Sequence, residues 1–107
     1  MSRRPVIHKS NPATLEPLGE VECAYPEEVS QMVEASRKAQ AAWGSEPPAR
    51  RSHLLRKVQG LLADRTDEFA ERVSRETGKP FMESLATDVM NALSVGDFAA
   101  SRVEHVF

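Results

Sequence analysis

The positions of the prolines set the strongest limit on what this 107-residue chain can fold into. A proline is excluded from the interior of a helix but suits its first turn. The seven prolines stand at positions 5, 12, 17, 26, 47, 48 and 80. Because long proline-free segments follow Pro26, Pro48 and Pro80, the sequence predicts an irregular or extended start (residues 1–24) followed by helices.

Two short segments near the start of the chain have the character of strands. The first covers residues 6–9, and the second covers residues 18–23, where apolar and acidic side chains alternate and Cys23 falls on the apolar side. Between them, Asn11 can hydrogen-bond the nearby backbone and Pro12 fixes φ at the next position. These features predict a small β-hairpin, which needs other elements to lie against because two strands alone are marginal in water.

Four helices are predicted for the rest of the chain, over residues 26–43, 48–65, 66–77 and 80–107. In each, apolar and small residues recur at spacings of three and four. The stripe of the first helix consists of Val29, Met32, Val33, Ser36, Ala39 and Trp43, and that of the second of Leu54, Leu55, Val58, Leu61 and Leu62. In the third, Phe69, Ala70 and Val73 are expected to face inward. The fourth has an apolar face wide enough for burial on more than one side, and it includes Val103 and Phe107. The predicted fold is therefore mainly α with a small N-terminal β-hairpin (α+β).

Glycine and threonine mark the expected ends of these helices. Gly44 and Gly78 are placed to follow the first and third helices as C-caps, and Thr66 is a good N-cap for the third. Gly60, inside the second helix, costs about 1 kcal/mol relative to alanine, and a close helix crossing would account for it. The fourth pattern reaches Phe107 without a cap, so we expect it to continue beyond that residue.

Charge and cysteine content exclude several classes of function. A net charge of -2 with 28% charged residues gives no broad positive field for nucleic acid or an anionic membrane. The single cysteine, Cys23, excludes an internal disulfide and favours a reducing, cytoplasmic setting. No signal peptide is expected, because polar residues soon follow the Arg3-Arg4 pair, and no run approaches the roughly 18 apolar residues of a membrane span.

Gly78 and Lys79 do not form a nucleotide-binding loop. A Walker A sequence needs G-x-x-x-x-G-K followed by Ser or Thr, whereas this chain has Val73 and Pro80 at the outer positions. We interpret the two residues as the boundary between two helices, with Arg75 near the negative end of the first. The other glycines are too scattered for a dinucleotide-binding motif.

The histidines and the cysteine have ordinary structural explanations. The three histidines, at positions 8, 53 and 105, lack metal-ligand spacing and are expected at the surface. Cys23 has no nearby histidine or cationic helix start to activate it as a nucleophile, so a packed or partly exposed structural thiol is the better interpretation.

The charged clusters also have structural explanations. In residues 67–76 the carboxylates alternate with arginines, so ion pairs such as Glu68 with Arg72 and Glu71 with Arg75 explain them without catalysis. The densest basic group comprises Arg50, Arg51, Arg56 and Lys57. It lacks interleaved aromatic residues and indicates a solvated helix face. No residue is assigned a catalytic, cofactor-binding or metal-binding role.

Five short motifs, taken in order, resemble the amino-terminal region of the NAD(P)-dependent aldehyde dehydrogenase superfamily. They are NPAT at 11–14, GEV at 19–21, AAW at 41–43, PPARR at 47–51 and ETGKP at 76–80. ETGKP after two amphipathic helices is fairly specific, whereas NPAT alone is weak. The resemblance extends from about Val6 to Phe107, so it covers nearly the whole chain.

The resemblance implies a much longer parent enzyme, in which this region packs a hairpin and helices against a Rossmann-like coenzyme domain. The family's oxyanion-hole asparagine, coenzyme-binding lysine, general-base glutamate and nucleophilic cysteine belong to motifs that do not occur in residues 1–107. NAD or NADP is therefore implied for the parent and no cofactor for this chain. The expected partners are the remainder of the parent and, for the isolated chain, a second copy, with no nucleic acid and no membrane.

Leu15 departs from the family pattern, which commonly has glycine directly after NPAT. A leucine costs roughly 1 to 2 kcal/mol in the left-handed conformation that favours glycine there. We therefore expect the turn to take a different shape in this chain.

The leading hypothesis is an amino-terminal structural part of an aldehyde dehydrogenase that is inactive alone. One alternative is an independent helical interaction module that pairs its wide fourth helix with another copy or a partner helix. Another is nucleic-acid binding through residues 50–57, which would show a steep salt dependence.

Overall fold

The structure, a computed structural model, describes the backbone of residues 4–106 and the side chains of residues 4–102. Strands β1 (Val6–Ser10) and β2 (Pro17–Glu22) form an antiparallel hairpin. The helical elements are α1 (Pro26–Ser45), α2 (Pro48–Asp64), α3 (Thr66–Thr77), α4 (Phe81–Glu83), a π-helical segment (Ser84–Val89) and α5 (Met90–Val106). The predicted fold class, mainly α with a small N-terminal hairpin, is confirmed. The side chains of Val103, His105 and Phe107, for which burial or exposure was predicted, lie outside the described residues.

The Asn11 side chain holds the turn of the hairpin. Asn11 is buried, and its Oδ1 accepts hydrogen bonds from the backbone N–H groups of Ala13 (2.9 Å) and Thr14 (3.3 Å), as predicted. The Asn11 N–H donates to the Glu16 carbonyl, and the Leu15 N–H donates to the Asn11 carbonyl. Leu15 has φ 63°, so the expectation of a differently shaped turn is wrong. The hydrogen bonds around Asn11 keep the left-handed conformation in spite of the leucine Cβ.

The second strand ends one residue earlier than predicted. The hairpin register pairs Val6 with Glu22, and Cys23 lies directly after the last pair. The Cys23 N–H still donates to the Pro5 carbonyl at 2.8 Å, so the backbone pairing continues briefly past the strand. Cys23 is half-buried and has a free thiol, which agrees with the structural interpretation.

Prolines, and not Gly44, determine where α1 ends. Gly44 lies inside α1, and the C-cap is Glu46 in an extended conformation (φ -69°, ψ 139°). A residue that precedes a proline is pushed out of the helical region, and Glu46 precedes Pro47. The predicted glycine C-cap is therefore wrong.

A single residue, Arg65, separates α2 from α3. Thr66, the predicted N-cap, is already inside α3, and its hydroxyl donates to the Ala63 carbonyl at 2.6 Å. The hydroxyl thus satisfies an unpaired carbonyl at the end of α2 instead of an unpaired N–H of α3. The N-cap prediction is wrong because the two helices are nearly continuous.

Gly78 ends α3 in the left-handed conformation (φ 77°), as predicted. Its N–H donates to the Ser74 carbonyl at 2.9 Å, and the Ser74 hydroxyl donates to the Lys79 carbonyl at 2.6 Å. A Cβ on Gly78 would lie 3.0 Å from Pro12 Cγ and 3.3 Å from the Ala13 nitrogen. Glycine is therefore required both by the backbone conformation and by the close approach of the hairpin turn.

The predicted fourth helix is interrupted near its start. Pro80 is the N-cap of the short α4, and the π-helical segment follows before α5 begins. The π segment packs against α3, and Ser84 and Val89 are buried there, as is Ala70 of α3. In a π segment the backbone turn is wider than in an α-helix, so the apolar face of the predicted helix is not continuous.

The chain forms a thin slab with a very small interior. Its dimensions are 46 × 43 × 19 Å, and its radius of gyration of 18.1 Å exceeds the about 13 Å of a compact domain of this length. Among the described side chains, the buried apolar residues are Ala70, Val89 and Ala100. These lie where α3 meets the π segment and where α2 meets α5.

Replacing Gly78 with alanine should destabilise the chain by at least about 1 to 2 kcal/mol, because a Cβ is strained at positive φ and would press on the hairpin turn. Gly60→Ala is the matched control, since a Cβ there meets nothing within 4 Å. Inside α2 it should stabilise the chain by about 1 kcal/mol. Urea unfolding followed by circular dichroism measures both, and an unchanged midpoint for Gly78→Ala would contradict the packing described.

Replacing Leu15 with glycine should stabilise the hairpin by roughly 1 kcal/mol, because glycine adopts φ 63° without steric cost. Leu15 is 78% exposed, so little packing is lost with its side chain. Leu15→Ala provides the comparison, since it removes the same apolar atoms but keeps the Cβ. If both variants gain equal stability, the left-handed conformation is not the cause.

Candidate docking surface

The face of α2 that packs against α5 is polar and small. The Ser52 hydroxyl donates to the Ala100 carbonyl at 2.6 Å in a buried contact. About two helical turns further along the same face, the Gln59 side chain lies over Gly96, where a built Cβ would overlap the Gln59 carboxamide. The close approach of the two helices therefore occurs at Gly96. The crossing suggested for Gly60 is not observed, because the space beside that residue is open.

Four of the five residues in the leucine-rich stripe of α2 are exposed, whereas the fifth, Leu62, is half-buried. Leu54 and Leu55 are 38% and 48% exposed, and Val58 and Leu61 are 62% and 63% exposed. Exposed apolar patches of this kind mark sites of protein contact. The orientation of α2 thus leaves its most apolar face available to another protein surface.

The apolar stripe of α1 is also uncovered. None of its residues is buried, and none of the extensive contacts between helices in the described part of the chain involves it. Val29, Met32 and Val33 are each about half exposed, and Trp43 is partly exposed. An amphipathic helix gains most of its stability from packing its apolar face, so the uncovered stripe of α1 is a candidate docking surface.

The accessible surface area also shows that much of this chain is uncovered. The chain exposes 8421 Å², whereas a compact monomer of 11.9 kDa exposes about 6,000 Å². A standard protein interface covers about 800 Å² on each partner. The excess of roughly 2,400 Å² is therefore about three times the area that one partner contributes to a standard interface.

Ion pairs join the hairpin to the C-terminal end of α3. Lys9 Nζ lies 2.9 Å from Glu76 Oε1, and this hydrogen bond lowers the pKa of the Glu76 carboxyl. Beside it, the Arg75 guanidinium lies 4.0 Å from a Glu16 carboxylate oxygen. Lys9, Arg75 and Glu76 line an open groove of about 340 Å³. The other residues that line this groove are Leu18, Glu68, Glu71 and Arg72. Because the groove carries both signs of charge, it offers no net field for an anion or a cation.

The Gly78-Lys79 segment does not fit a dinucleotide phosphate. Lys79 Nζ makes an ion pair with Asp88 of the π segment at 2.9 Å, so its charge is already matched. The Gly78 N–H is used in the helix cap, and the hairpin turn fills the space beside the glycine. The segment instead fixes the connection from α3 to α4. The Lys79–Asp88 pair was not predicted, although both residues lie near the start of the predicted fourth helix.

Among the described residues, no three or more His, Cys, Asp or Glu side chains converge in a way that could hold a metal ion. His8 pairs with Glu20 across the hairpin at 2.8 Å and is exposed. Among the described residues no helix is long and apolar enough to cross a membrane.

The predicted charged faces are present with altered partners. In α3, Glu68 lies 4.0 Å from Arg72 as predicted, but its closest partner is Arg65 at 2.6 Å, which lowers the pKa of the Glu68 carboxyl. Arg75 is near Glu16 of the hairpin, not paired with Glu71 as predicted. In the basic group of α2, Arg50 makes an ion pair with Glu46 at 2.9 Å, but Arg51 is half-buried with its Nε enclosed, so the prediction of a solvated face is wrong at that residue.

Comparison with known proteins identifies the family. The sequence model of the aldehyde dehydrogenase family matches residues 1–107. The chain belongs to the aldehyde dehydrogenase family. The predicted resemblance is therefore confirmed over the full length of the chain.

Solved structures agree with this assignment. The chain matches a NAD-dependent benzaldehyde dehydrogenase from Corynebacterium glutamicum with a TM-score of 0.89 and 25% identity, over 95% of this chain and 22% of that one. It matches an NADP-dependent glyceraldehyde-3-phosphate dehydrogenase from Bacillus halodurans C-125 with a TM-score of 0.87 and 26% identity, over 92% and 20%. An aldehyde dehydrogenase from Bacillus cereus gives 0.88 and 26%, over 96% and 21%. This aldehyde dehydrogenase chain thus spans about a fifth of their length and corresponds to their N-terminal part.

Two of the motifs that suggested the family meet in space in this aldehyde dehydrogenase chain. Pro12 and Ala13 of NPAT lie against Gly78 of ETGKP, and Lys9 pairs with Glu76 beside them. NPAT ends at Thr14 and ETGKP begins at Glu76, so the two motifs are separated by 62 positions in the sequence. Their residue types are explained by one junction between the hairpin and α3.

Acidification should loosen the hairpin from α3. The pKa of Glu76 is lower in the folded chain than in the unfolded chain, so its pair with Lys9 contributes fully above the ordinary carboxyl pKa. That contribution is lost as the pH falls through the lowered value. We expect the protection factors of β1 amides, measured by hydrogen exchange, to stay constant from pH 7 down to the ordinary carboxyl pKa and to fall only below it.

Glu76→Gln should show reduced β1 protection already at pH 7, because the amide side chain lacks the charge that pairs with Lys9. Glu34→Gln is the matched control, since Glu34 pairs only with Lys38 on the exposed side of α1 among the described ion pairs. Equal protection in the two variants would show that the ion pair does not hold the hairpin.

Proposed function

We propose that this chain is the amino-terminal structural part of an aldehyde dehydrogenase and that it has no oxidoreductase activity alone. The observation that carries the proposal is its uncovered apolar surface, combined with a match to about a fifth of solved family members. In this proposal the exposed faces of α1 and α2 dock onto the remainder of the enzyme. Catalytic groups would come from that remainder.

The parent enzyme would oxidise an aldehyde to a carboxylic acid with NAD or NADP. The benzaldehyde dehydrogenase among the similar structures is NAD-dependent, and the glyceraldehyde-3-phosphate dehydrogenase is NADP-dependent. Gly78 and Lys79 do not fit a coenzyme phosphate, so the coenzyme would be held by other parts of the parent. The role of this chain would be to pack against those parts and stabilise them. We place the enzyme in the cytoplasm, with neither nucleic acid nor membrane as a partner.

A second candidate function is an independent helical interaction module without enzymatic activity. The uncovered α1 favours it, because that helix contributes no buried residue to the rest of the chain. The two candidates differ in what covers the exposed faces: the remainder of the same enzyme, or a separate partner. A chain that binds the missing remainder of its own enzyme and restores aldehyde oxidation would support the structural role.

The isolated chain should give no turnover with NAD or NADP and a panel of aldehydes, measured by the absorbance of the reduced coenzyme. The reason is that the residues that the structure describes offer neither a coenzyme cradle nor an activated nucleophile. Cys23→Ser is the control that separates a genuine thiol reaction from a contaminant. Activity that is present in the chain and absent in Cys23→Ser would overturn the proposal.

A further inference from the structure

The first turn of α1 is covered by the segment that precedes β1. Of the 20 residues of α1, all of which the structure describes, Glu28 alone is half-buried and the others are exposed. Charged side chains are ordinarily the most exposed residues of a helix. A group from outside the helix therefore covers this carboxylate.

Arg4 is the residue that covers Glu28. Its Nη2 donates to Glu28 Oε1 at 2.5 Å, and its guanidinium carbon lies 5.2 Å from the centre of the Tyr25 ring, within the range of a cation–π contact. Arg4 Nε also lies 3.8 Å from a Glu22 carboxylate oxygen. Arg4 thus joins the end of β2 to the start of α1.

Glu28 also caps the helix. Its Oε2 accepts a hydrogen bond at 2.8 Å from the N–H of Tyr25, the N-cap of α1. A glutamate at the third helical position that bonds the N-cap N–H forms one half of a capping box. The Tyr25 N–H, and after it the Arg4 guanidinium, lowers the pKa of the Glu28 carboxyl, which is therefore charged at neutral pH. One carboxylate thus both caps α1 and holds Arg4.

α1 has little else to keep it helical. It buries no residue and makes no extensive contact with another element in the described part of the chain. Its last turn has no basic residue to complement the helix dipole. A helix without packing of its apolar face is marginal in water. Its order therefore depends on its first turn.

We propose that residues 4–5 form a strap, and that closure of this strap over the first turn keeps α1 helical while its apolar stripe is uncovered. The Cys23 N–H donates to the Pro5 carbonyl at 2.8 Å, which anchors the strap beside Arg4. With the strap open, Glu28 loses its charged partner and α1 frays from its start. The inference goes beyond the proposed function, because the strap acts on the chain before anything covers α1.

Hydrogen exchange followed by NMR on the full 107-residue chain tests the strap. Arg4→Met removes the charge and keeps an unbranched side chain. It should lower the protection factors of α1 amides about five-fold, the upper end of the effect of a surface ion pair, and leave those of α2 and α3 unchanged. Lys38→Met is the matched control, since Lys38 pairs with Glu34 on the exposed surface of α1. It should lower α1 protection by at most about two-fold.

A second pair of variants separates the strap from the helix dipole. Glu28→Gln keeps an acceptor for the Tyr25 N–H, because glutamine also forms a capping box, but it loses the charge that holds Arg4. Glu27→Gln removes the same charge from the first turn, and Glu27 takes part in none of the described ion pairs. Only Glu28→Gln should match Arg4→Met. The double variant Arg4→Met/Glu28→Gln should lose no more protection than either single variant, because both remove one interaction.

Unchanged α1 protection in Arg4→Met would overturn the inference. So would equal losses in the variant and its control within either pair, or additive losses in the double variant. A loss in Arg4→Met that is equally large in α2 and α3 would also overturn it, because it would show a general destabilisation. These outcomes leave the proposed function untouched, since it is tested by turnover and not by hydrogen exchange.

Discussion

The buried hydrogen bond from Ser52 to the Ala100 carbonyl is the contact on which the surface of this chain depends. It faces the polar side of α2 toward α5, and Gln59 over Gly96 extends the same contact. A buried hydroxyl without a partner would be costly, so this face of α2 is fixed toward α5. Leu54, Leu55, Val58 and Leu61 are consequently left exposed, so most of the apolar stripe of the helix lies at the surface instead of in a core.

A second junction sets the position of the hairpin. A two-stranded hairpin is marginal alone, and here it is held where its turn meets Gly78 and where Lys9 pairs with Glu76. Leu15 keeps the left-handed conformation that its family usually gives to glycine, which shows that the hydrogen bonds of Asn11 dominate the local backbone cost. The turn is therefore specified by contacts and not only by the conformational preference of one residue.

The helices and strands could be predicted from the sequence more accurately than the contacts between them. Periodicity and prolines gave the hairpin and the helices, and the capping role of Gly78 followed from its position between two helical patterns. Gly44 and Thr66 were misread because their roles depend on neighbours: Pro47 ends the helix, and the end of α2 captures the threonine hydroxyl. The direction in which each stripe points could not be predicted, since periodicity defines a face but not what covers it.

The slab is only 19 Å thick, about the depth of two stacked helices. Nearly every side chain therefore belongs to one of its two broad sides, and few belong to an interior. Substitutions at most positions of so thin a chain would alter its surface and leave its small interior unchanged. Tolerance to substitution should therefore be set by what touches the two broad sides and not by the packing of a core.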